Sequence, residues 1–327
     1  MKRFLQTLTI LLLINMKCSQ IACAQESLTT AEVGGRPLQL ELSVPEGPGP
    51  HPLIIWIHGG GWVQGSHQKR PPFTPFALEA GFAVASLDYR LASEGGTWGD
   101  APTCWPAQLS DCKAGIRWLR ANAPSRRLDP DRFYAWGHSA GGHLATMLAL
   151  TNDEPAFEGT VGSSLNTSSR VDAAVDFAGP SDLFRMNQDH DQTLGPGMNH
   201  DGLRSGESQL LGANDHGHSL GSIRNNQARS DWPWKRLRLL CLSASPAEQV
   251  DEEDRAPLLI VHGAQDRLVP VAQARRLASA CAASEVPHAT IILEKAGHNL
   301  FASQAPRLAL EWLKSMAFEE TIIPDDD

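Results

Sequence analysis

A serine enclosed by glycines is the clearest sign of chemistry in this chain. Ser139 lies in the sequence AWGHSAGG (residues 135–142), between an apolar run at 132–136 and a helix-like run at 143–150. A serine hydroxyl attacks a carbonyl well when it protrudes from a sharp turn, and such a turn has no room for Cβ atoms two residues before and after it. Gly137 and Gly141 meet this need. The context of strand, turn and helix favours a nucleophile over an ordinary glycine-rich turn.

A neutral serine is a weak nucleophile, so it needs a base and a group that orients the base. Active sites of open parallel sheets collect beyond the carboxyl ends of the strands, so both groups should follow late strands. Asp266 follows an apolar run at 258–262, and His298 follows one at 289–293. We therefore expect His298 to take the proton from Ser139 and Asp266 to hold the imidazole ring.

Three other residues compete for these two roles. Asp182 also follows a predicted strand, and His138 and His143 lie next to the serine in sequence. His138 occupies the variable position of the turn and should point away from the proton of the nucleophile. Position after a late strand favours Asp266 and His298.

Three consecutive glycines form the second candidate part of the site. The sequence HGGGW (residues 58–62) directly follows a buried apolar run at 53–57. Backbone N–H groups in such a loop can approach a ligand without side chains in the way, and the flanking strand and tryptophan disfavour a flexible linker. We expect the N–H groups of Gly60, Gly61 and Ala140 to form an oxyanion hole. Trp62 and His138 are predicted to contact the substrate.

The elements that must position these residues alternate between strand and helix, which predicts a mainly parallel α/β sheet covered on both faces. The alternating run at 37–44 predicts a half-exposed antiparallel edge strand. The other predicted strands are 53–57, 82–87, 132–136, 173–178, 258–262 and 289–293, and the predicted helices are 73–80, 105–123, 143–150, 271–282 and 305–317.

Residues 180–256 have weak periodicity, and inserts of this length in an α/β domain are usually lids or caps. Within them, 232–236 could fold over the serine as part of an acyl or aryl pocket, and an exposed, mobile insert is an equal alternative. The histidines at 190, 200, 216 and 218 lack the spacing of a metal site, so they are interpreted as solvated loop residues. The expected mechanism needs no cofactor.

The N-terminus has the pattern of a signal peptide. Lys2 and Arg3 precede an apolar segment at 5–14, and the small residues Ala22-Cys23-Ala24 mark a cleavage site. The pattern predicts a signal peptide at 1–24 and an exported single domain at 25–327, with lipidation of Cys23 as a minor alternative. The apolar segment is too short for a stable membrane span.

The net charge bears on the binding partners, and the cysteines bear on possible disulfide bonds. The net charge of −9 over 327 residues disfavours nucleic acid and anionic membranes. Beyond residue 24 the cysteines are Cys104, Cys112, Cys241 and Cys281, which can pair in three ways. Cys104 and Cys112 are close enough for a local bridge, and Cys112 could equally be a buried free thiol.

Five motifs carry a resemblance to a known family. They are HGGGW at 58–62, DYRLA at 88–92, GHSAGG at 137–142, GAQDRLVP at 263–270 and Gly297-His298. Together they resemble the α/β-hydrolase superfamily, and more narrowly its secreted bacterial feruloyl- and acetylxylan-esterase-like enzymes near the hormone-sensitive-lipase group. The hormone-sensitive-lipase group usually has Asp where His138 stands, which favours the feruloyl-esterase side.

The resemblance implies an α/β-hydrolase fold with a cap or long insert between the sixth- and seventh-type strands. It also implies a serine carboxylesterase that forms an acyl-enzyme on Ser139. Its substrates would be short-chain acyl, feruloyl or acetyl esters, either small or linked to polysaccharides. Two alternatives stay open: a small-amide hydrolase resembling arylformamidases, and a non-catalytic binding module on the same fold.

Overall fold

The computed structural model describes residues 24–95, 97–193, 197–251 and 255–318. The predicted signal peptide at 1–24, including Cys23, lies almost entirely outside them, and only Ala24 is described. Eight strands form one sheet in the order β1-β2-β4-β3-β5-β6-β7-β8. The strands are β1 (Ala24–Val33), β2 (Arg36–Val44), β3 (His51–Ile57), β4 (Ala83–Leu87), β5 (Leu128–His138), β6 (Ala173–Phe177), β7 (Leu258–Gly263) and β8 (His288–Leu293).

Strands β3 to β8 pair in parallel, while β1 and β2 pair antiparallel with their neighbours. The helices are α1 (Thr74–Glu79), α2 (Ala107–Ala121), α3 (Ala140–Leu150), α4 (Pro155–Glu158), α5 (Met186–Thr193), α6 (Gly206–Leu210), α7 (Leu220–Asn225), α8 (Trp234–Ser243), α9 (Ala272–Ala283) and α10 (Ala305–Phe318). This mainly parallel sheet confirms the predicted fold class, and all five predicted helices are present.

Helices cover both faces of the sheet because the central strands are apolar on both sides. In β3, Leu53, Ile55 and Ile57 belong to the core that α2, α3 and α9 cover. Ile54 and Trp56 belong to the core under α1 and α10. The apolar runs of β3, β4, β6 and β7 therefore correspond to strands that are buried on both faces, whereas β8, at the edge of the sheet, is partly exposed.

The prediction that 37–44 forms an edge strand was wrong. Strand β2 lies second from the edge, because β1 pairs with it along almost its whole length, from Ala24 opposite Val44 to Val33 opposite Arg36. The glycines at 34 and 35, both with positive φ, make the tight turn between the two strands. The sequence interpretation missed β1 because it begins where the predicted signal peptide ends.

The insert, defined as residues 180–256, lies between β6 and β7. It carries helices α5 to α8, and its apolar side chains join the core on the α3 face of the sheet, which disfavours an exposed, mobile insert. These buried anchors are Leu210, Leu211, Leu220, Ile223, Leu237 and Cys241. Trp232, Lys235 and Arg236 line a separate surface groove, so the suggested pocket over the serine is not formed by this segment.

The four cysteines of the described chain are all free thiols. Cys112, Cys241 and Cys281 are fully buried. Burial raises the pKa of the Cys112 and Cys241 thiols well above their usual value, so they behave as apolar core groups. In the part of the chain that the structure describes, no helix is both long and apolar enough to cross a bilayer.

Candidate active site

Ser139 lies at the sharp turn between β5 and α3, as predicted. Its backbone has φ 58° and ψ −124°, a strained conformation for a residue with a Cβ atom. The N–H of Ser139 donates to the carbonyl of Phe177 at 2.7 Å, and its own carbonyl accepts from the N–H of His143 at 3.0 Å. These two hydrogen bonds hold the strained turn.

The two glycines of the turn are required by close backbone contacts. A Cβ atom at Gly137 would lie 2.0 Å from the carbonyl oxygen of Gly141, and one at Gly141 would lie 2.0 Å from the carbonyl oxygen of Ile57. Both contacts are with backbone, which cannot move aside cheaply. As predicted from the sequence, there is no room for a Cβ atom two residues before or two residues after Ser139.

Asp266 and His298 meet at the carboxyl ends of β7 and β8. His298 Nδ1 donates to Asp266 Oδ2 at 2.7 Å. The other carboxylate oxygen accepts from the N–H groups of Leu268 and Val269, at 2.8 and 2.9 Å. Asp266 is fully buried and His298 is only slightly exposed. The carboxylate is thus fixed by its own loop and fixes one face of the imidazole ring.

A second histidine, which the sequence interpretation missed, also contacts this carboxylate. His262 Nε2 lies 3.3 Å from Asp266 Oδ2 and 2.9 Å from the carbonyl oxygen of Val269. Burial would raise the pKa of Asp266, but the hydrogen bonds from His262 and His298 outweigh it and lower the pKa well below 3.8. Asp266 is therefore ionised at neutral pH. The only sequence signal for His262 was its place at the end of a buried strand.

Ser139 and His298 line the same cleft. Within the described residues, no hydrogen bond joins the serine hydroxyl to the ring. Such bonds are often long before a substrate is bound, so this geometry is compatible with a catalytic pair.

His138 supports His298 from the other side. Its Nε2 donates to the carbonyl oxygen of His298 at 2.8 Å, and the two ring centroids are 4.7 Å apart. Burial, helped by the nearby His298, lowers the pKa of His138 to about 4, so the ring is neutral at pH 7. His138 also lines the cleft, and its predicted contact with the substrate stays a prediction.

The structure disfavours the competing residues. His143 is completely buried, and both ring nitrogens are used: Nδ1 accepts from the indole N–H of Trp62 at 3.2 Å, and Nε2 donates to the carbonyl oxygen of Ala244 at 2.7 Å. Burial lowers its pKa to about 4. Asp182 lies 3.8 Å from Arg276 rather than beside His298. Neither residue is placed to serve Ser139.

The glycine loop brings backbone N–H groups next to the serine. A Cβ atom at Gly59 would lie 3.2 Å from Ser139 Cβ. Gly60 and Gly61 have φ of 117° and 60°, and the carbonyl of Gly60 accepts from two N–H groups of the following turn. Across the described ranges, no hydrogen bond uses the N–H of Gly60, Gly61 or Ala140. All three residues line the cleft, as an oxyanion hole requires.

Trp62 has a different environment from the one predicted. Its side chain is 1% exposed, and its indole N–H is held by His143. Trp62 lines the cleft, and its ring packs edge-on against His143 with the centroids 5.0 Å apart. Only a small part of its surface is exposed, and its contact with the substrate stays a prediction.

The cleft has a volume of about 840 Å³, and the insert forms one of its walls. The insert residues in this wall are Pro180, Met198, His200, Arg204, Gly206 and Glu207. Within the described ranges, no group of three or more His, Cys, Asp or Glu side chains could hold a metal ion.

The interpretation of all four insert histidines as solvated was wrong for two of them. His190 and His200 are 1% and 3% exposed, and their rings stack at 5.5 Å. His200 Nδ1 lies 2.7 Å from Glu207 Oε1. Burial opposes protonation of His200, but Glu207 outweighs it and raises the pKa of the ring. No periodic pattern in the sequence indicates this burial, because the helices around these residues are short.

Comparison with known proteins identifies the family of this chain. The sequence pattern of the BD-FAE family matches residues 40–281. The chain belongs to the BD-FAE family. Esterase LipQ of Mycobacterium tuberculosis is 28% identical to this BD-FAE chain over 231 residues, which are 70% of this chain and 45% of LipQ. The chain spans about half the length of the curated relatives it matches.

Solved structures share the fold of this BD-FAE member. A truncated form of a carbohydrate esterase from gut microbiota superposes with a TM-score of 0.72 at 26% identity, over 91% of this chain and 98% of that chain. The bifunctional GH43-CE protein of Bacteroides eggerthii gives a TM-score of 0.71 at 26% identity, over 89% of this chain and 38% of that chain. The predicted membership of the α/β-hydrolase superfamily is confirmed.

Proposed function

We propose that this protein is a serine carboxylesterase with Ser139 as nucleophile, His298 as general base and acid, and Asp266 as the residue that orients His298. The observation that carries the proposal is the 2.7 Å hydrogen bond to the buried carboxylate of Asp266 from His298, which lines the same cleft as the strained serine. A buried, ionised carboxylate stabilises the imidazolium that forms during proton transfer.

The reaction proceeds in two displacements. Ser139 Oγ attacks the ester carbonyl while its proton moves to His298 Nε2, and the oxyanion accepts hydrogen bonds from the N–H groups of Gly60, Gly61 and Ala140. The tetrahedral intermediate expels the alcohol, which takes the proton from His298. Water then loses a proton to His298, attacks the acyl-enzyme, and releases the acid and the free serine.

For the substrate, we propose short acyl esters, acetyl or feruloyl, on carbohydrate. The matched structure from gut microbiota is described as a carbohydrate esterase, which supports a sugar on the alcohol side. The cleft of about 840 Å³ is large enough for an acyl group together with a sugar.

We also propose export of a mature single domain at 25–327, with 180–256 as its cap. The insert supports this role because it supplies a wall of the cleft. Cleavage after Ala24 would leave β1 intact except for its first residue. The mass of the mature N-terminal peptide tests the proposal: a start near Gln25 is expected, and a retained N-terminus would contradict it.

The experiment that tests the esterase proposal compares wild type with Ser139→Ala on 4-nitrophenyl acetate, butyrate and octanoate and on methyl ferulate. Removing the nucleophile should lower kcat/KM by at least about 10⁴-fold. Ser315→Ala is the matched control, because Ser315 lies on the exposed side of α10. An inactive wild type, or activity that survives in Ser139→Ala, would overturn the proposal.

A further inference from the structure

Three cationic side chains line the cleft that contains Ser139. They are Lys69, Arg70 and Arg204, and all three residues are exposed at its mouth. The chain as a whole has a net charge of −9. The acidic composition alone would not predict three positive side chains at one opening.

The cations come from two separate segments that meet at the oxyanion loop. Lys69 and Arg70 follow the glycine loop by a few residues, and Arg204 belongs to the insert just before α6. The two segments are in contact, since a Cβ atom at Gly206 would lie 2.6 Å from the carbonyl oxygen of Gly61. Arg204 lies just before Gly206 in the sequence, and Gly206 is the point at which the insert contacts the glycine loop.

Little carboxylate charge opposes these cations inside the cleft. Glu207 is the one carboxylate among the described residues that line it, and it is buried against His200 at 2.7 Å. Arg70 has a loose partner in Glu41, at 3.8 Å. Within the described ranges, the side chains of Lys69 and Arg204 have no ion pair or hydrogen bond. The mouth of the cleft is therefore positively charged.

We propose that this cleft selects esters that carry a carboxylate on the acyl or the alcohol part, such as acylated uronic acids. The proposal rests on the esterase function above and specifies its substrate class. Cations at the mouth of a low-dielectric cleft attract an anionic substrate and hold its carboxylate while the ester reaches Ser139.

The test uses two matched pairs of esters, one for each possible position of the carboxylate. The acyl pair is mono-4-nitrophenyl glutarate against 4-nitrophenyl pentanoate, and the alcohol pair is 4-acetoxybenzoate against 4-acetoxybenzamide. For each pair, selectivity is the kcat/KM of the anionic ester divided by that of the neutral ester. The division removes any effect of a substitution that acts equally on both esters.

Selectivity is measured in wild type, in the double variant Lys69→Gln/Arg204→Gln, and in the control Arg307→Gln/Lys314→Gln. The control removes the same charge from α10, away from the cleft. We expect the double variant to lower selectivity about fivefold or more in at least one pair, and the control to change it by less than about twofold. Raising NaCl from about 0.05 to about 0.5 M should lower wild-type selectivity, because salt screens exposed charges.

Equal selectivity in wild type and the double variant for both pairs would overturn the proposal, as would hydrolysis of the neutral esters alone. The pair whose selectivity falls in the double variant shows whether the carboxylate lies on the acyl or the alcohol part of the ester. If no ester of the four is hydrolysed in a Ser139-dependent way, the esterase function itself fails. The two failures are therefore distinguishable.

Discussion

The sheet and the insert build the same cleft in different ways. Ser139, Asp266 and His298 follow strands β5, β7 and β8, and each is held by backbone contacts or by a buried carboxylate. The insert adds side chains from short helices and loops, such as Met198 and Arg204, whose outer atoms are exposed. In our proposal the sheet supplies bond cleavage, and the insert, together with Lys69 and Arg70, supplies binding and selectivity.

Buried apolar side chains and hydrogen bonds join the two regions. His143 on α3 donates to the carbonyl of Ala244 in the insert, and the indole N–H of Trp105 donates to the hydroxyl of Ser243 at 3.0 Å. The insert is therefore attached to α3, the helix that begins directly after Ser139. The following predictions test this division between the regions.

Replacing the carboxylate of the sheet should have the largest effect on the reaction. Asp266→Asn should lower kcat about 10³- to 10⁴-fold, because an amide cannot stabilise the imidazolium and favours the wrong tautomer. Steady-state rates with 4-nitrophenyl butyrate measure the effect. Asp182→Asn is the control, since Asp182 lies beside Arg276. A larger loss in the control than in Asp266→Asn would reverse the assignment.

The turn of the nucleophile should tolerate no Cβ atom at Gly137. Gly137→Ala should lower the free energy of unfolding by about 3 kcal/mol or more, because the new atom would meet backbone at 2.0 Å. Urea unfolding followed by circular dichroism measures the change. Gly95→Ala serves as the control, because a Cβ atom there meets nothing within 4 Å. Equal stabilities of the two variants would contradict the steric account.

His143, which joins α3 to the insert, should make the free energy of unfolding depend on pH. The pKa of His143 is about 4 in the folded chain and close to 6.5 when unfolded, so the unfolded chain binds more protons between these values. Stability should therefore fall as pH decreases from 6.5 toward 4. The loss at pH 5 from this residue is about 2 kcal/mol.

Urea unfolding at pH 7 and pH 5 checks this expectation. His143→Gln should lose less stability over this interval than wild type, even though it is less stable at pH 7. The change in the free energy of unfolding between pH 7 and pH 5 reports protonation of His143, whereas the difference between the proteins at pH 7 reports the lost packing. If the variant changes as much as wild type between the two pH values, His143 does not carry the pH dependence.

The smallest effect should come from the wall that the insert supplies. Met198→Ala should raise KM for 4-nitrophenyl octanoate about two- to fivefold while kcat changes little, because Met198 offers part of its apolar surface to the cleft. Leu203→Ala is the matched control, since Leu203 is similarly exposed but does not line this cleft. A kcat loss as large as that of Asp266→Asn would break the division between the regions.

The sequence could predict the sheet and its site because both follow regular patterns. Buried parallel strands are continuous apolar runs, and the residues that follow β7 and β8 must meet at one edge of the sheet. The spacing of Gly137 and Gly141 around Ser139 is a short motif, although a Cβ atom at Gly141 would meet the backbone of Ile57 on β3. These features can be recognised without knowledge of the tertiary packing.

The insert could not be predicted in the same way. Its helices are five to ten residues long, too short for a clear hydrophobic period, and they are stabilised by tertiary contacts. The burial of His190 and His200 depends on that packing. Strand β1 was missed for another reason, because its start overlaps the small residues of the predicted cleavage site.

The most direct test of the central claim is to identify the residue that reacts covalently. Diisopropyl fluorophosphate phosphorylates activated serines, and peptide mapping by mass spectrometry locates the adduct. We expect one adduct, on Ser139, and labelling that is slower by about 10³-fold or more in His298→Gln. An adduct on another residue, or labelling of His298→Gln at the wild-type rate, would contradict the account.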